Sequence, residues 1–374
     1  MTTLNDIFRC YGPAYREHVG AALSQQQRRV MAAIEACRTA ALGGQVFTCP
    51  ACQTTRYSYH SCRNRHCPTC QQDASQNWLA QQQALLLPVA YFLVTFTIPA
   101  ELRDVARSHQ EQVYDFLFRA SSAALQHLAG DPRFLGGQLG MLGVLQTWTR
   151  DLRYHPHVHY LVPAFGRAPD GTVVFPPSSD FLVPVRPLAI LFRAKLQAAL
   201  RQTSYYQDIA TTVWQQPWVV DCRPVGTGEH ALKYLAPYIF RVALSNNRIL
   251  RVADDHVTFR YTHSDSGETR TSTLPAEVFI GRFLAHVLPK GFVKVRYYGL
   301  FRPGARAVLR RVWAQLMLVR GIVMLSPCSP PGAPAERAWR LATCPACGAL
   351  MQGQPVRSSR SRAPPVTPPR QTPR

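Results

Sequence analysis

Residues 48–71 read TCPACQTTRYSYHSCRNRHCPTCQ, and nothing else in the chain limits its fold as sharply. Cys49-Pro-Ala-Cys52 and Cys67-Pro-Thr-Cys70 are two C-x-x-C knuckles with fourteen residues between them. Zinc is borderline-soft, imposes no geometry of its own and takes four thiolates in a tetrahedron. A knuckle pair at this spacing therefore predicts a zinc ribbon held by Cys49, Cys52, Cys67 and Cys70. A set of buried free thiols would not need two paired knuckles. Four thiolates leave no open coordination position, so this Zn2+ is structural. His60, Cys62 and His66 lie between the knuckles. They could replace a ligand, help to build a second site, or be ordinary loop residues. A third knuckle, Cys344-Pro-Ala-Cys347-Gly, has no second pair beside it. It is half of a zinc site completed from elsewhere in the fold, or the remnant of one. Cys328 sits in SPCSP, which is not a knuckle, and the isolated Cys10, Cys37 and Cys222 read as packing residues.

The charge says what such a chain would meet. Its 374 residues carry 42 Lys+Arg against 21 Asp+Glu, a formal net charge of +21, and only Lys195, Lys233, Lys290 and Lys294 are lysines. With 47% hydrophobic residues the chain can bury a core, which excludes a wholly disordered basic protein. The excess of arginine points to a polyanionic partner. Arg56, Arg63 and Arg65 give the ribbon a basic face, with Arg63 and Arg65 as candidate DNA contacts. The most apolar stretch, residues 84–100, is too short to span a membrane and contains Pro88 and Pro99. MTTLNDIFRC lacks the basic-then-apolar pattern of a signal peptide. A cytoplasmic protein is expected, and there eleven cysteines do not make a disulfide framework; seven of them fall in two clusters, which points to metal.

Hydrophobic periodicity predicts helices over 1–45, 73–86, 101–128, 187–200, 229–244 and 275–287. It predicts strands over 91–98, 141–149, 157–162 and 293–299, and strands and turns over 251–273. The fold class is α+β, a central antiparallel sheet covered by helices and preceded by a small helical and zinc-ribbon region. The last twenty residues hold six Pro and five Arg with no acidic residue, a composition that does not pack.

Two further groups carry chemistry. Residues 154–162, YHPHVHYLV, place His155, His157 and His159 two apart. Side chains alternate along a strand, so the three imidazoles share one face and suit a divalent metal. A lone histidine is more often solvated or satisfied in a core. Three at period two, followed by an apolar run, are not explained that way. Pro156 favours the start or edge of the strand. No Asp-His pair follows, as it does in some zinc hydrolases. In the helix over 229–244, Tyr234 and Tyr238 stand four apart and so share a face. Spacing alone fits two tyrosines packing against a sheet.

Taken in order, a zinc ribbon, HPHVH on a strand and YLAPY on a helix resemble the two-tyrosine HUH transposases of rolling-circle insertion sequences, the insertion sequence ninety-one type. RNRHCPTCQ, FTIPAELR, RYHPHVHYLV, ALKYLAPYIFRVALSNNRIL and LPKGFVKVRYYGLF carry the resemblance from about residue 5 to about 350. The resemblance implies that His157 and His159, with His155 as a third ligand, hold a catalytic Mg2+ or Mn2+. It implies that Tyr234 and Tyr238 are nucleophiles that form 5′-phosphotyrosine links to single-stranded DNA at transposon ends and in target DNA. No membrane partner and no small-molecule substrate are implied. A rolling-circle replication initiator or relaxase shares this chemistry, and a non-catalytic zinc-ribbon nucleic-acid-binding protein shares only the ribbon. The expected organisation is an N-terminal helical region and ribbon over 1–88, a catalytic domain over 89–305, a C-terminal helical segment with its knuckle over 306–352, and a disordered tail over 353–374.

Overall fold

The structure is a computed structural model that describes residues 3–70, 72–240, 244–263, 266–319 and 343–358. The chain opens with two capped helices, α1 (Leu4–Val19) and α2 (Gln25–Ala36). At each start a reciprocal capping box, Thr3 with Asp6 and Ser24 with Gln27, satisfies backbone N–H groups that a helix leaves unpaired. Leu4, Ile7 and Phe8 of α1 share a core with Val30, Met31 and Ile34 of α2. The ribbon strands β1 (Gly44–Thr48) and β2 (Thr55–Tyr59) follow, then helix α3 (Gln72–Gln83).

Strand β3 (Tyr91–Thr97) begins the main sheet. The helix expected over 101–128 divides at His109 into α4 (Arg103–Ser108) and α5 (Gln110–Ala129), where the His109 ring stacks on Tyr205 at 3.8 Å. Next come β4 (Gly140–Trp148), β5 (Tyr154–Pro163), a two-stranded ribbon of β6 (Gly166–Arg167) with β7 (Val173–Val174), and α6 (Val185–Leu200). After β8 (Val220–Pro224) and α7 (Glu229–Phe240), a small sheet is formed by β9 (Ile249–Ala253), β10 (His256–Thr262) and β11 (Thr269–Pro275). The described chain ends with α8 (Ala276–Leu284), β12 (Val295–Gly299), α9 (Arg306–Val319) and β13 (Gln352–Val356).

The main sheet is antiparallel with strand order β12-β4-β5-β3-β8, so β5 lies at its centre. Alternation gives it two different faces. Phe92, Val94, Phe96, Leu145, Val158, Tyr160 and Val162 share a core with Leu117, Phe118 and Leu125 of α5 and with Leu188, Phe192 and Leu196 of α6. Tyr91, Leu93, Leu142, Val144 and Leu161 look the other way and share a core with α7 and α9. A third core joins α1 and α2 to α8 and to Val257 and Phe259 of β10, with Phe8 edge-on to Phe283 at 5.4 Å. The N-terminal helices thus pack on the far part of the chain. The tail expected from 353 onward begins as a strand, because β13 pairs with β1 through residue 356; residues 359–374 lie outside those described. Among the described residues no helix is long and apolar enough to cross a membrane.

His286, just after α8, is buried between two strand ends. Its Nε2 lies 3.3 Å from the Leu152 carbonyl, which can only accept, so Nε2 carries the proton and Nδ1 accepts from the Thr147 hydroxyl, also at 3.3 Å. Burial pushes its pKa down to about 4. The unfolded chain takes up that proton near pH 6.5 while the folded chain does not, so stability falls as the pH drops from about 6.5 towards 4, at about 1.4 kcal/mol per pH unit. Urea unfolding of the wild type and His286→Gln at pH 7 and pH 5 should show the variant losing less between the two, by roughly 1–2 kcal/mol. Equal losses would show that His286 does not titrate in this way.

Candidate active site and metal centres

The three histidines sit on the face of β5 that also carries Leu161, and therefore on the side of the sheet covered by α7. Pro156 is inside the strand rather than at its start. It has no N–H to give, and the β4–β5 register shifts between Gln146 and Trp148, opposite Pro156, while pairing to β3 stops at His157. Successive imidazole centroids are 5.3 Å and 4.8 Å apart along the row.

Hydrogen bonds give each ring its own role. His157 is buried, and its Nδ1 lies 2.6 Å from the His155 carbonyl oxygen. That oxygen accepts only, so the proton sits on Nδ1 and the Nε2 lone pair is left for a ligand. His159 is clasped on both sides: Nδ1 is 2.9 Å from Thr95 Oγ1, and Nε2 is 3.2 Å from Gln146 Oε1. The Gln146 amide is oriented by its donation to the Trp148 carbonyl at 3.0 Å. His155 is half-buried and accepts from Arg103 Nη2 at Nδ1, 2.8 Å away. Burial pushes His157 well below its usual pKa; burial, then Arg223, takes His159 to about 4; burial, then Arg103 and Arg153, takes His155 to about 4. All three are neutral at pH 7, as metal ligands must be. Gln146, Thr95 and Arg103 have no signal in the sequence that marks them beforehand. Only the strand register brings them here.

Helix α7 carries positions 234 and 238 one turn apart. It starts beside Gly228, whose φ is +80° and whose missing Cβ would lie 2.9 Å from the Tyr91 ring, so no other residue fits without displacement. Ala231, Leu232 and Leu235 of α7 share a core with the sheet face, and Leu244, beyond the helix, shares one with Trp148. Tyr91 stands opposite Pro163 and Trp148 opposite Tyr154. The helix thus runs along the histidine face from the far end of β5 toward the histidine end.

The cysteines group differently from the expected single ribbon. Cys67 and Cys70 meet Cys37 and Cys62, whereas Cys49 and Cys52 meet Cys344 and Cys347. In each group all four sulfurs lie within 4.8 Å of one another. In the first, Cys37–Cys70 is 3.2 Å, Cys62–Cys70 3.5 Å and Cys37–Cys67 3.7 Å. A tetrahedron with Zn–S of about 2.3 Å has S···S edges of about 3.8 Å, so this set fits zinc. Cys37, expected to be a packing residue, belongs to it, brought in by the turn that ends α2. Cys62 is a member as well, and the two histidines are not. His60 is exposed and pairs through its backbone with Gly43 and Arg38. His66 is buried, its Nε2 accepting from Leu288 N at 3.1 Å and its Nδ1 lying 3.2 Å from Asn64 Oδ1.

Arg65, expected to contact DNA, instead donates from Nη1 to the Phe292 carbonyl at 2.7 Å and from Nη2 to the Pro289 carbonyl at 2.8 Å. Arg65 and His66 thereby tie the first thiol group to the segment that leads into β12. Arg63 is exposed. On β2, Tyr57 and Tyr59 stack at 5.6 Å, and Tyr57 is exposed next to Arg56.

Known proteins resemble the chain along most of its length. A family model described as "Transposase zinc-binding domain" matches residues 7–98, and one described as "Putative transposase" matches residues 140–307. "Putative transposase y4qJ" of Sinorhizobium fredii (strain NBRC 101917 / NGR234) is 39% identical over 384 residues, covering 94% of this chain and 93% of that protein. "Transposase for insertion sequence element IS801" of Pseudomonas savastanoi pv. phaseolicola is 26% identical over 282 residues, covering 71% and 67%. A solved structure, the conjugative relaxase TrwC in complex with oriT DNA in a metal-free form, has a TM-score of 0.25 and 12% identity over 62% of this chain and 74% of that one.

The Arg65 contacts can be tested directly. Arg65→Ala leaves two carbonyls without their charged donor and should lower unfolding stability by roughly 2–4 kcal/mol in urea, with DNA affinity of the folded protein and its salt dependence unchanged. Unchanged stability with weakened, less salt-dependent DNA binding would mean that Arg65 meets phosphate.

Proposed function

The chain belongs to the rolling-circle transposases of the IS91 family, and from that membership we propose that it cleaves and rejoins single-stranded DNA at element ends through Tyr234 and Tyr238. The observation that carries this reading is one shared sheet face. The histidine row of β5 lies on the side covered by the helix that bears the two tyrosine positions.

We assign His157 and His159 as ligands of a catalytic Mg2+ or Mn2+, with Gln146 rather than His155 as the third. His157 offers Nε2 because Nδ1 is committed to the His155 carbonyl. Gln146 Oε1 and His159 Nε2 are 3.2 Å apart, close to the spacing of about 3.0 Å between neighbouring ligands at about 2.1 Å in an octahedral site. To ligate through Nε2, the neutral His159 ring would carry its single proton on Nδ1 and donate it to Thr95 Oγ1. His155 holds the Arg103 guanidinium, a cation suited to a phosphate at the edge of the site. When bound, the ion supplies charge stabilisation at the scissile phosphate.

A tyrosine oxygen then attacks phosphorus. The new bond is Tyr O–P, the bond broken is P–O3′, the phenolic proton leaves and O3′ gains one. The phosphodiester energy stays in the tyrosine link, so rejoining by a 3′-hydroxyl needs no ATP. Two nucleophiles permit two links in succession. A structural zinc belongs to the N-terminal domain. The stacked Tyr57 and Tyr59, with Arg56 and Arg63, suit unpaired bases and their phosphates.

The test is incubation with labelled single-stranded DNA carrying the element end, in Mg2+ or Mn2+, followed by SDS gels. A protein–DNA adduct is expected, reduced in Tyr234→Phe or Tyr238→Phe and absent in the double variant. His157→Ala should abolish cleavage and keep binding, while Gln146→Ala should lower cleavage by roughly 10- to 100-fold. Binding without any adduct on the correct end would favour a non-catalytic nucleic-acid-binding protein.

A further inference from the structure

We propose that Cys49, Cys52, Cys344 and Cys347 hold a second structural zinc, one that clasps the C-terminal segment onto the N-terminal ribbon. The stretch matched by the zinc-binding family model holds only half of this site, since two of its four ligands come from beyond residue 98. It is also independent of the strand-transfer chemistry.

The two halves of this site are the same structure twice. Cys49-Pro-Ala-Cys52 and Cys344-Pro-Ala-Cys347 are identical tetrapeptides. In the first, Cys49 N donates to Thr54 O and Gln53 N to Cys49 O, each at 2.9 Å; in the second, Cys344 N donates to Ala349 O and Gly348 N to Cys344 O, each at 2.8 Å. The residue after each knuckle has positive φ, +58° at Gln53 and +73° at Gly348. Each knuckle is flanked by a pair at matching offsets, Thr48 with Thr55 and Thr343 with Leu350. Such a turn aims two sulfurs at one point, and two such turns face each other. At Cys67-Pro-Thr-Cys70 the bonds differ, with Cys67 N donating to Asn64 O at 3.0 Å and Cys70 N to Cys67 O at 3.2 Å.

The sulfur separations fit one ion between the turns. Cys49–Cys347 and Cys52–Cys344 are 3.5 Å apart and Cys52–Cys347 3.6 Å. These lie near the tetrahedral edge of about 3.8 Å and far from a disulfide bond of about 2.05 Å. Each thiol gives up its proton on binding, four in all. Packing alone offers little here. The local core is Cys49, Cys344 and Met351 with Phe47 and Ala349 against it, too small to hold a module without a metal. Strand β13 pairs with β1 along residues 352–356, so the ion fixes a sheet whose strands come from opposite ends of the chain.

The full-length, reduced, zinc-replete protein tests this in two ways. Elemental analysis after dialysis should give two zinc ions per chain, falling to one in Cys344→Ser/Cys347→Ser. Should that variant not fold, the wild type still answers. Cys52 and Cys347 are exposed, so without a metal iodoacetamide would modify both at once. With zinc, mass spectrometry should find them protected at least tenfold until a chelator is added. One zinc in the wild type, two retained in the variant, or immediate alkylation of Cys52 and Cys347 would each overturn the proposal. None of these outcomes depends on DNA cleavage.

Discussion

The site depends on the two-residue alternation of β5. Because β5 is the central strand, each of its residues must face one of two covered layers. Val158, Tyr160 and Val162 fill the layer against α5 and α6, which forces His157 and His159 into the opposite layer under α7. A slip of one residue would bury imidazoles among phenylalanines and turn the valines to the site, so the hydrophobic register and the histidine register are the same constraint. The shift opposite Pro156 lets the strand continue through a residue without an N–H while keeping that register at His157.

Much of this was legible because it is local. Alternation marks β5, apolar and β-branched runs mark β3 and β4, and the four-residue spacing of Tyr234 and Tyr238 needs only a helix. What could not be read depends on register between distant strands. Gln146 reaches His159 because Val144 pairs with His159 two positions along, and Thr95 reaches it because it stands directly opposite. Neither residue has a neighbour in sequence that hints at a metal. Arg65 looked like a DNA contact because an arginine in a basic loop is usually solvated. Only the fold shows that carbonyls of the 289–292 segment lie within its reach.

The cysteines show the same limit. Knuckles close in sequence invite pairing, and here proximity misleads: fourteen residues separate the two N-terminal knuckles, but strand β2 runs between them and carries the sulfurs apart. The signal that could have separated them was present as the repeated tetrapeptide CPAC, at 49 and at 344, against CPTC at 67. Identical turns build symmetric half-sites more readily than unlike ones. Cys37 carried no such signal, since a lone cysteine at the end of an amphipathic helix looks the same whether it packs or ligates.

The two thiol groups stand in different relations to the chemistry. The first is joined to the catalytic sheet by short polar contacts: from its loop, His66 accepts from Leu288 N and Arg65 holds the 289–292 carbonyls. The same segment begins at His286, which bonds Thr147 and Leu152 at the β4–β5 turn, and ends at Lys294, whose Nζ lies 4.6 Å from the centre of the Trp148 ring. A change at Cys62, Cys67 or Cys70 therefore reaches the histidine hairpin through one segment of backbone. The second group has no comparable contact with that hairpin among the described residues; its packing partners are Phe47, Ala349 and Met351. Losing the first metal should disturb the placement of His157 and His159, whereas losing the second should release the ribbon's third strand and leave the histidine row in place.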